Sequence, residues 1–241
     1  DLIMRHEIEF VELQKTNLDG YTLIEGFPGM GLVGTIAAKY LVEKHNYIDK
    51  EKDLAFMVGL SSSSLYETKF PIINLAYRLE SEGTAAAEFA ANELGVKTMG
   101  IIVANTDFGG TLDTYVSKYF NSIGGKSFSE RIKYNEPNPD TSVLKILQNK
   151  PDAIYIQNDI PAMAAILRRL SQMGYEGKRL VYYGGRDQSL IDGAGEAAES
   201  LYVPWVISDQ SSEEREKFIQ SFKTLYDKDP FVTAYFTYDG V

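Results

Sequence analysis

The sequence predicts an α/β protein that contains one doubly wound parallel sheet, or two of them. Segments typical of β-strands alternate with amphipathic helical segments almost throughout the 241 residues, as in chains whose parallel strands are joined by crossover helices. Several strand segments, such as TMGIIVA at 98–104, are apolar on both faces, which is typical of strands covered by helices on both sides. With 44% hydrophobic and 24% charged residues, the chain can bury a substantial core.

The elements are predicted in chain order from the spacing of apolar residues and from helix-capping and helix-breaking residues. Strands are expected at 7–13, 21–25, 54–60, 71–77, 98–104, 127–134, 152–157, 179–184 and 201–207, and helices near 33–45, 84–94, 111–123, 140–149, 160–174 and 212–226. Asp140 or Thr141 is expected to cap the fourth helix, which Pro151 cannot continue. Ser211 or Ser212 is expected to cap the last helix.

The composition excludes several function classes. The net charge is −10, and the lysines and arginines are scattered, so neither a nucleic-acid partner nor an anionic membrane surface is expected. The chain has no cysteine, which removes disulfides, thiol catalysis and thiolate metal sites. No stretch approaches 18 consecutive apolar residues and the first ten residues lack signal-peptide features, as expected also of a mature exported chain.

The motif GMGLVG, at 29–34, has the glycine spacing of a dinucleotide-binding turn between a strand and a helix. The next strand ends in serines instead of the acidic residue that would hold a ribose, and no Lys-Ser or Lys-Thr follows the last glycine. We therefore expect the glycines to serve a tight turn and close helix packing, and we expect no cofactor.

Catalytic constellations are weak in this sequence. His6 and His45 are the only histidines, and neither lies near a Ser or Asp constellation. The segment GLSSS does not match the nucleophile elbow G-x-S-x-G. Asp107, Asp159 and Asp187 could meet as an acid/base or hard-cation set, but each also stands where Asp commonly ends a strand or caps a helix. No enzymatic activity and no metal site are expected.

Residues 9–44 contain the phrase GFPGMGLVG and resemble the opening of archaeal proteins in the PAC2 family of proteasome assembly chaperones. The resemblance ends near Lys44. It implies a cytoplasmic assembly factor whose partner is a proteasome subunit.

Residues 54–241 resemble a type I periplasmic binding protein of the leucine/isoleucine/valine group that serves ABC transporters. The resemblance is carried by FMVGLSSSS, by the TDFGG turn after the strand 98–104, and by PDAIYIQNDIPAMAAILRRLSQMGY, LVYYGGRDQSLIDGAG and FVTAYFTYDGV, in the order of that family. Relative to the family pattern, the region 64–78 is shorter, the first strands are replaced by the PAC2-like segment, and the chain ends earlier. The two resemblances together predict a chimeric chain, natural or engineered.

The second resemblance implies a two-lobed fold that closes on a small amino-acid-like ligand by a hinge. Residues 1–123 with 208–241 are expected to form the first lobe, and residues 124–207 the second. The implied function is that of a non-enzymatic solute-binding component, with a membrane ABC permease as partner and a location outside the cell or in its envelope. The alternatives are the cytoplasmic proteasome assembly chaperone, or a chimera with no native function.

One end of the ligand site is predicted from a run of four serines after the strand 54–60. Hydroxyl and backbone N–H groups at the mouth of a helix can bind a carboxylate, and Ser62, Ser63 and Ser64 are the candidates. The alternative is an N-cap cluster without a ligand.

The other candidates follow strands farther along the chain. Phe108 is expected to supply an aromatic wall, or simple packing. Asn158 and Asp159 follow the strand 152–157 at its carboxyl end, where open α/β sheets bind ligands, but they could equally cap the next helix. By the resemblance, Asp187 stands where the family places the acidic partner of a ligand ammonium, whereas by itself it could cap the helix that follows.

Overall fold

The structure is a computed structural model, and it describes residues 55–57, 72–74, 77–205, 212–230 and 234–235. The chain divides into two compact units, one formed by Asp1–Tyr77 with Asp209–Val241 and the other by Arg78–Ser208. Among the helices of the described residues, none has the length and apolar character needed to cross a membrane.

The unit Arg78–Ser208 contains a five-stranded parallel sheet. Its strands are β3 (Thr98–Ala104), β4 (Lys126–Ile132), β5 (Ala153–Gln157), β6 (Lys178–Val181) and β7 (Leu201–Tyr202), in the spatial order β4-β3-β5-β6-β7. Its helices are α1 (Leu79–Asn92), α2 (Asp107–Ser122), α3 (Asp140–Leu147), α4 (Ile160–Gln172) and α5 (Gln188–Ala194). The predicted α/β class with a parallel sheet is therefore confirmed.

The two faces of this sheet bury separate apolar clusters. On one face, Met99, Ile101 and Val103 of β3 pack with apolar residues of α1 and α2. On the other, Ile102 of β3 and Ile154 of β5 pack with residues of α3, α4 and α5. Because side chains alternate along a strand, a strand covered on both faces must be apolar throughout, as 98–104 is.

The division of the chain differs from the sequence-based one. A boundary between residues 123 and 124 falls between α2 and β4, inside the unit Arg78–Ser208. The structure places residues 78–123 with 124–208 because β3 pairs along its length with β4, from Thr98↔Lys126 to Ala104↔Ile132, and also with β5. Strand pairing, which the linear pattern does not reveal, sets this grouping.

The other unit contains the described elements β1 (Ala55–Met57), β2 (Ile72–Asn74) and α6 (Glu213–Tyr226). β1 and β2 pair in parallel, with Ala55 opposite Ile72. The Ser212 hydroxyl accepts a hydrogen bond from the Arg215 N–H at 3.1 Å, which confirms the predicted cap of the last helix. On α6, Phe218 is buried against Tyr235, with ring centroids 5.1 Å apart.

The start of α2 and the cap of α3 differ from the prediction for identifiable reasons. α2 begins at Asp107 instead of 111, since the Thr106 hydroxyl caps it by accepting the Gly109 N–H at 3.1 Å. Gly109 and Gly110 therefore lie in the first turn of α2, although glycine is a poor helix former. α3 begins at Asp140, which makes no cap and instead pairs with Arg169 at 3.0 Å.

Gly109 is required by the close approach of α2 to the end of β3. A Cβ atom at Gly109 would lie 2.7 Å from Gln157 Oε1 and closer still to the Ala104 carbonyl oxygen. At Gly110, by contrast, the nearest atoms belong to the Arg131 side chain, at 3.2 Å and beyond, and not to the backbone.

These neighbouring glycines provide a matched pair of variants. Gly109→Ala is expected to lower the free energy of unfolding by about 1–3 kcal/mol, because buried backbone must move. Gly110→Ala is expected to be neutral or to stabilise the protein by up to about 1 kcal/mol, since alanine is the better helix former. Urea denaturation of both variants measures the difference, and equal effects would show that the close approach at Gly109 is absent.

Candidate functional site

The candidate site lies at the carboxyl edge of the five-stranded sheet. After β3 the chain enters α2 on one face of the sheet, and after β5 it enters α4 on the other. In open parallel sheets the crevice between two such diverging connections is the usual ligand site. Phe108 follows β3, and Asn158 and Asp159 follow β5, so these predicted residues stand on either side of that point.

Tyr182 is the residue around which the site is organised. It follows β6, and its ring lies 5.8 Å from the Phe108 ring and 5.1 Å from the Tyr183 ring, both in edge-to-face geometry. Burial raises the pKa of Tyr182 above its ordinary value, and nearby Tyr134 and the carboxylates Glu82, Asp159 and Asp187 raise it further. The Tyr182 hydroxyl is therefore a neutral group with a proton to donate at physiological pH.

Three of the predicted side chains are thus brought to one place. Phe108 contacts Tyr182 directly, and Asp159 and Asp187 are close enough to act on its ionisation. Ser62, Ser63 and Ser64 lie outside the described residues, as do the glycine turn 29–34 and both histidines. Within the described residues, no group of three or more His, Cys, Asp or Glu side chains is placed to hold a metal ion.

Asp159 and Asp187 both cap helices. Asp159 Oδ1 accepts the Ala162 N–H at 3.1 Å at the start of α4, and Asp187 Oδ1 accepts the Ser189 N–H at 2.8 Å at the start of α5. In the part of the chain that the structure describes, neither Oδ2 takes part in a hydrogen bond. Capping and ligand binding are therefore compatible, because each carboxylate caps with one oxygen and retains the other.

Asn158 differs from these two residues. It is fully buried, and its side-chain polar atoms bond to the backbone. Oδ1 accepts the N–H groups of Asn135 and Asp159 at 3.1 and 2.9 Å, and Nδ2 donates to the Lys133 carbonyl oxygen at 3.2 Å. These bonds indicate that Asn158 stabilises the backbone of the site.

Glu82 is a further site residue that the sequence pattern does not indicate. It lies in the first turn of α1 and is only 3% exposed. Its Oε1 accepts the backbone N–H of Tyr183 at 2.8 Å, across 101 residues of sequence. This bond holds the turn that carries Tyr182 and leads to Asp187.

The only tryptophan lies beside this turn. The guanidinium of Arg186, the neighbour of Asp187, stands 3.9 Å from the centroid of the Trp205 ring. A cation over an indole face is a favourable pair. Trp205 is therefore a natural fluorescent reporter of the segment that carries Asp187.

Tyr182 and Arg186 were missed for a specific reason. The sequence predicts a strand over 179–184, which would place Tyr182 within the sheet, whereas β6 ends at Val181 and a 3₁₀ turn covers Tyr183–Gly185. The two glycines after the tyrosines are the sequence feature that favours this earlier end.

The buried carboxylate of Glu82 leads to a stability prediction. Glu82→Ala leaves the Tyr183 N–H without its acceptor and is expected to cost about 1–3 kcal/mol of unfolding free energy. Glu88→Ala, an exposed glutamate of the same helix, is the control and should change little. Chemical denaturation tests this, and a Glu82→Ala protein as stable as the Glu88→Ala protein would contradict the role assigned to Glu82.

Comparison with known proteins supplies the family context. Residues 30–241 match the family model of the periplasmic binding protein. The leucine-binding protein LivK of Thermotoga maritima is similar in structure, with a TM-score of 0.79 and 22% identity over 90% of this chain and 61% of that chain. LivJ of Streptococcus pneumoniae, solved with isoleucine, gives a TM-score of 0.71 and 14% identity over 92% of this chain and 61% of that one.

A third similar structure holds a different kind of ligand. The solute-binding protein of an ABC transporter from Rhodopseudomonas palustris, solved with 3,4-dihydroxybenzoic acid, gives a TM-score of 0.70 and 17% identity over 90% of this chain and 59% of that one. This chain spans about three fifths of the length of these three structures. None of the curated proteins compared with the sequence matches it.

These comparisons decide between the two resemblances. The type I binding-protein fold is confirmed. The PAC2 resemblance of residues 9–44 finds no support, and neither does the chimera predicted from it. The matched family model begins at Met30 and therefore includes residues 30–44. The PAC2-like phrase GFPGMGLVG contains four glycines, a residue that suits tight turns in any family.

Proposed function

This chain belongs to the periplasmic binding protein family, and we propose that it binds a small amino-acid-like solute, without catalysis, for an ABC transporter. The observation that carries the proposal is the position of Phe108, Asp159 and Asp187 at the carboxyl edge of the sheet, where Phe108 packs against Tyr182 and the two carboxylates begin the helices α4 and α5. A membrane permease is the proposed protein partner, and the space outside the cytoplasmic membrane is the proposed location.

The chemistry of this edge favours a ligand ammonium group. Asp159 and Asp187 each cap a helix with one carboxylate oxygen and keep the other available. They supply negative charge and hydrogen-bond acceptors. The faces of aromatic rings such as those of Phe108 and Tyr182 attract cations as well. The cation nearest to Asp187 along the chain, Arg186, stands over Trp205.

The negative charges of Asp159 and Asp187 should distinguish between the two kinds of ligand that the similar structures hold. Isoleucine carries an ammonium group and a carboxylate, whereas 3,4-dihydroxybenzoic acid carries a carboxylate and no ammonium. Asp159 and Asp187 would attract the first and repel the second. Ser62, Ser63 and Ser64, which the sequence predicts to bind a ligand carboxylate, lie outside the described residues.

A ligand screen with one charge-removing variant tests this proposal. At least one of the twenty standard amino acids should raise the melting temperature, whereas benzoate and 3,4-dihydroxybenzoate should not. Asp187→Asn should weaken calorimetric binding of that amino acid by about tenfold or more, because a charge-assisted hydrogen bond is worth about 1.5–3 kcal/mol. Asparagine remains a good N-cap, so the fold should be retained.

Two control variants make the result specific. Asp192→Asn removes a carboxylate from the same helix, and Lys217→Ala changes an exposed charge on α6, so both should leave affinity nearly unchanged. A panel in which no amino acid stabilises the protein, or an Asp187→Asn protein with unchanged affinity, would contradict ammonium recognition at this edge.

A further inference from the structure

Asn158 makes an unusual set of contacts for a residue at a ligand edge. It is fully buried at the end of β5, and it reaches the loop that follows β4. β4 and β5 are not neighbours, because β3 lies between them. The Asn158 side chain therefore bridges two connections across the end of β3.

The two bonds to that loop hold the peptide groups on either side of Tyr134. The Lys133 carbonyl, which accepts from Nδ2 at 3.2 Å, belongs to the peptide group that precedes Tyr134. The Asn135 N–H, which donates to Oδ1 at 3.1 Å, belongs to the peptide group that follows it. Fixing both peptide planes fixes φ and ψ of Tyr134, and with them the direction of its Cα–Cβ bond.

The conformation of the next residue supports the same role. Asn135 has φ of +61°, in the left-handed region that residues other than glycine seldom adopt. Such a conformation persists when surrounding contacts determine it. Here the hydrogen bond from the Asn135 N–H to the buried Asn158 supplies such a contact.

The Tyr134 side chain is exposed, at 55%, yet it belongs to the candidate site. The bonds that Asn158 makes to both neighbouring peptide groups hold the backbone of Tyr134 at the end of β5, where Asp159 follows Asn158. Partial burial raises the pKa of Tyr134, and the charge of Asp159 raises it further. The Tyr134 phenol also acts on the ionisation of Tyr182. An exposed tyrosine whose backbone is held by hydrogen bonds at the carboxyl edge of the sheet is suited to contact a ligand.

We propose that Tyr134 is a ligand-contacting, specificity-determining residue and that Asn158 is the positioning residue that holds it at the site. This inference rests on the proposed function, because it assigns a further contact at the same ligand edge. Asn158 acts through the backbone of Tyr134 and does not touch the ligand itself.

The first experiment requires no ligand. Amide hydrogen exchange measured by NMR should show the Asn135 N–H exchanging at least tenfold faster in Asn158→Ala than in the unchanged protein, whereas amides of β3 should be unaffected. Asn158→Ser, whose shorter side chain does not reach the loop, should show the same acceleration and serves if the alanine variant does not fold. Asn138→Ala, in the same loop, is the matched control. Unchanged Asn135 exchange in Asn158→Ala or in Asn158→Ser would overturn the positioning role.

The second experiment is a double-mutant cycle on binding, followed by Trp205 fluorescence with the standard amino acid of highest affinity as probe. Asn158→Ala should weaken binding about tenfold in the unchanged protein but less than twofold in a Tyr134→Ala background. Equal losses in both backgrounds would show that Asn158 does not act through Tyr134 and would overturn the proposal.

The two experiments separate the possible failures. If none of the twenty amino acids binds, the proposed function fails, and the ligand contact of Tyr134 is overturned with it. Unchanged exchange at Asn135 with normal amino-acid binding would overturn the positioning role of Asn158 alone.

Discussion

The position of β3 between β4 and β5 is the constraint on which the rest of the unit Arg78–Ser208 depends. Helices cover β3 on both faces, so it is apolar on both, and its end lies between the ends of β4 and β5 at the carboxyl edge. The connections that follow these strands are consequently neighbours in space, although β4 and β5 begin 28 and 55 residues after β3. The candidate site exists because these connections meet there.

Buried polar side chains then determine the shape of that edge. Glu82 holds the turn after β6 through the Tyr183 N–H, and Asn158 holds the loop after β4 through the peptide groups around Tyr134. A backbone group that is buried on folding loses its hydrogen bonds to water. Each of these side chains supplies a hydrogen bond that compensates for that loss. Loops after the strands of an open sheet vary easily, and here buried side chains fix two of them relative to the sheet.

The carboxylates of the candidate site can combine helix capping with the proposed ligand contact. Asp159 and Asp187 begin helices, where N–H groups without partners and the helix dipole favour an anion. Because these helices start at the carboxyl edge, their caps are also the groups that a ligand would meet. The two interpretations of these residues in the sequence are therefore not exclusive, and a cap that uses one oxygen leaves the residue able to serve both.

The sequence by itself determined the α/β class, the β3 strand at 98–104 and a serine cap at 211 or 212, and it proposed Phe108, Asp159 and Asp187 as candidates, because these follow from local periodicity, capping chemistry and family resemblance. It misassigned the end of β6, and it drew a boundary through a sheet. Only the tertiary structure decided that residues 78–123 belong with 124–208, that Asn158 bonds to backbone, and that Glu82, Tyr134 and Tyr182 join the site. Strand order depends on which elements pack together and not on the spacing of residues within any one of them. The same holds for contacts between residues up to 101 positions apart, so neither can be predicted from the periodicity of the sequence.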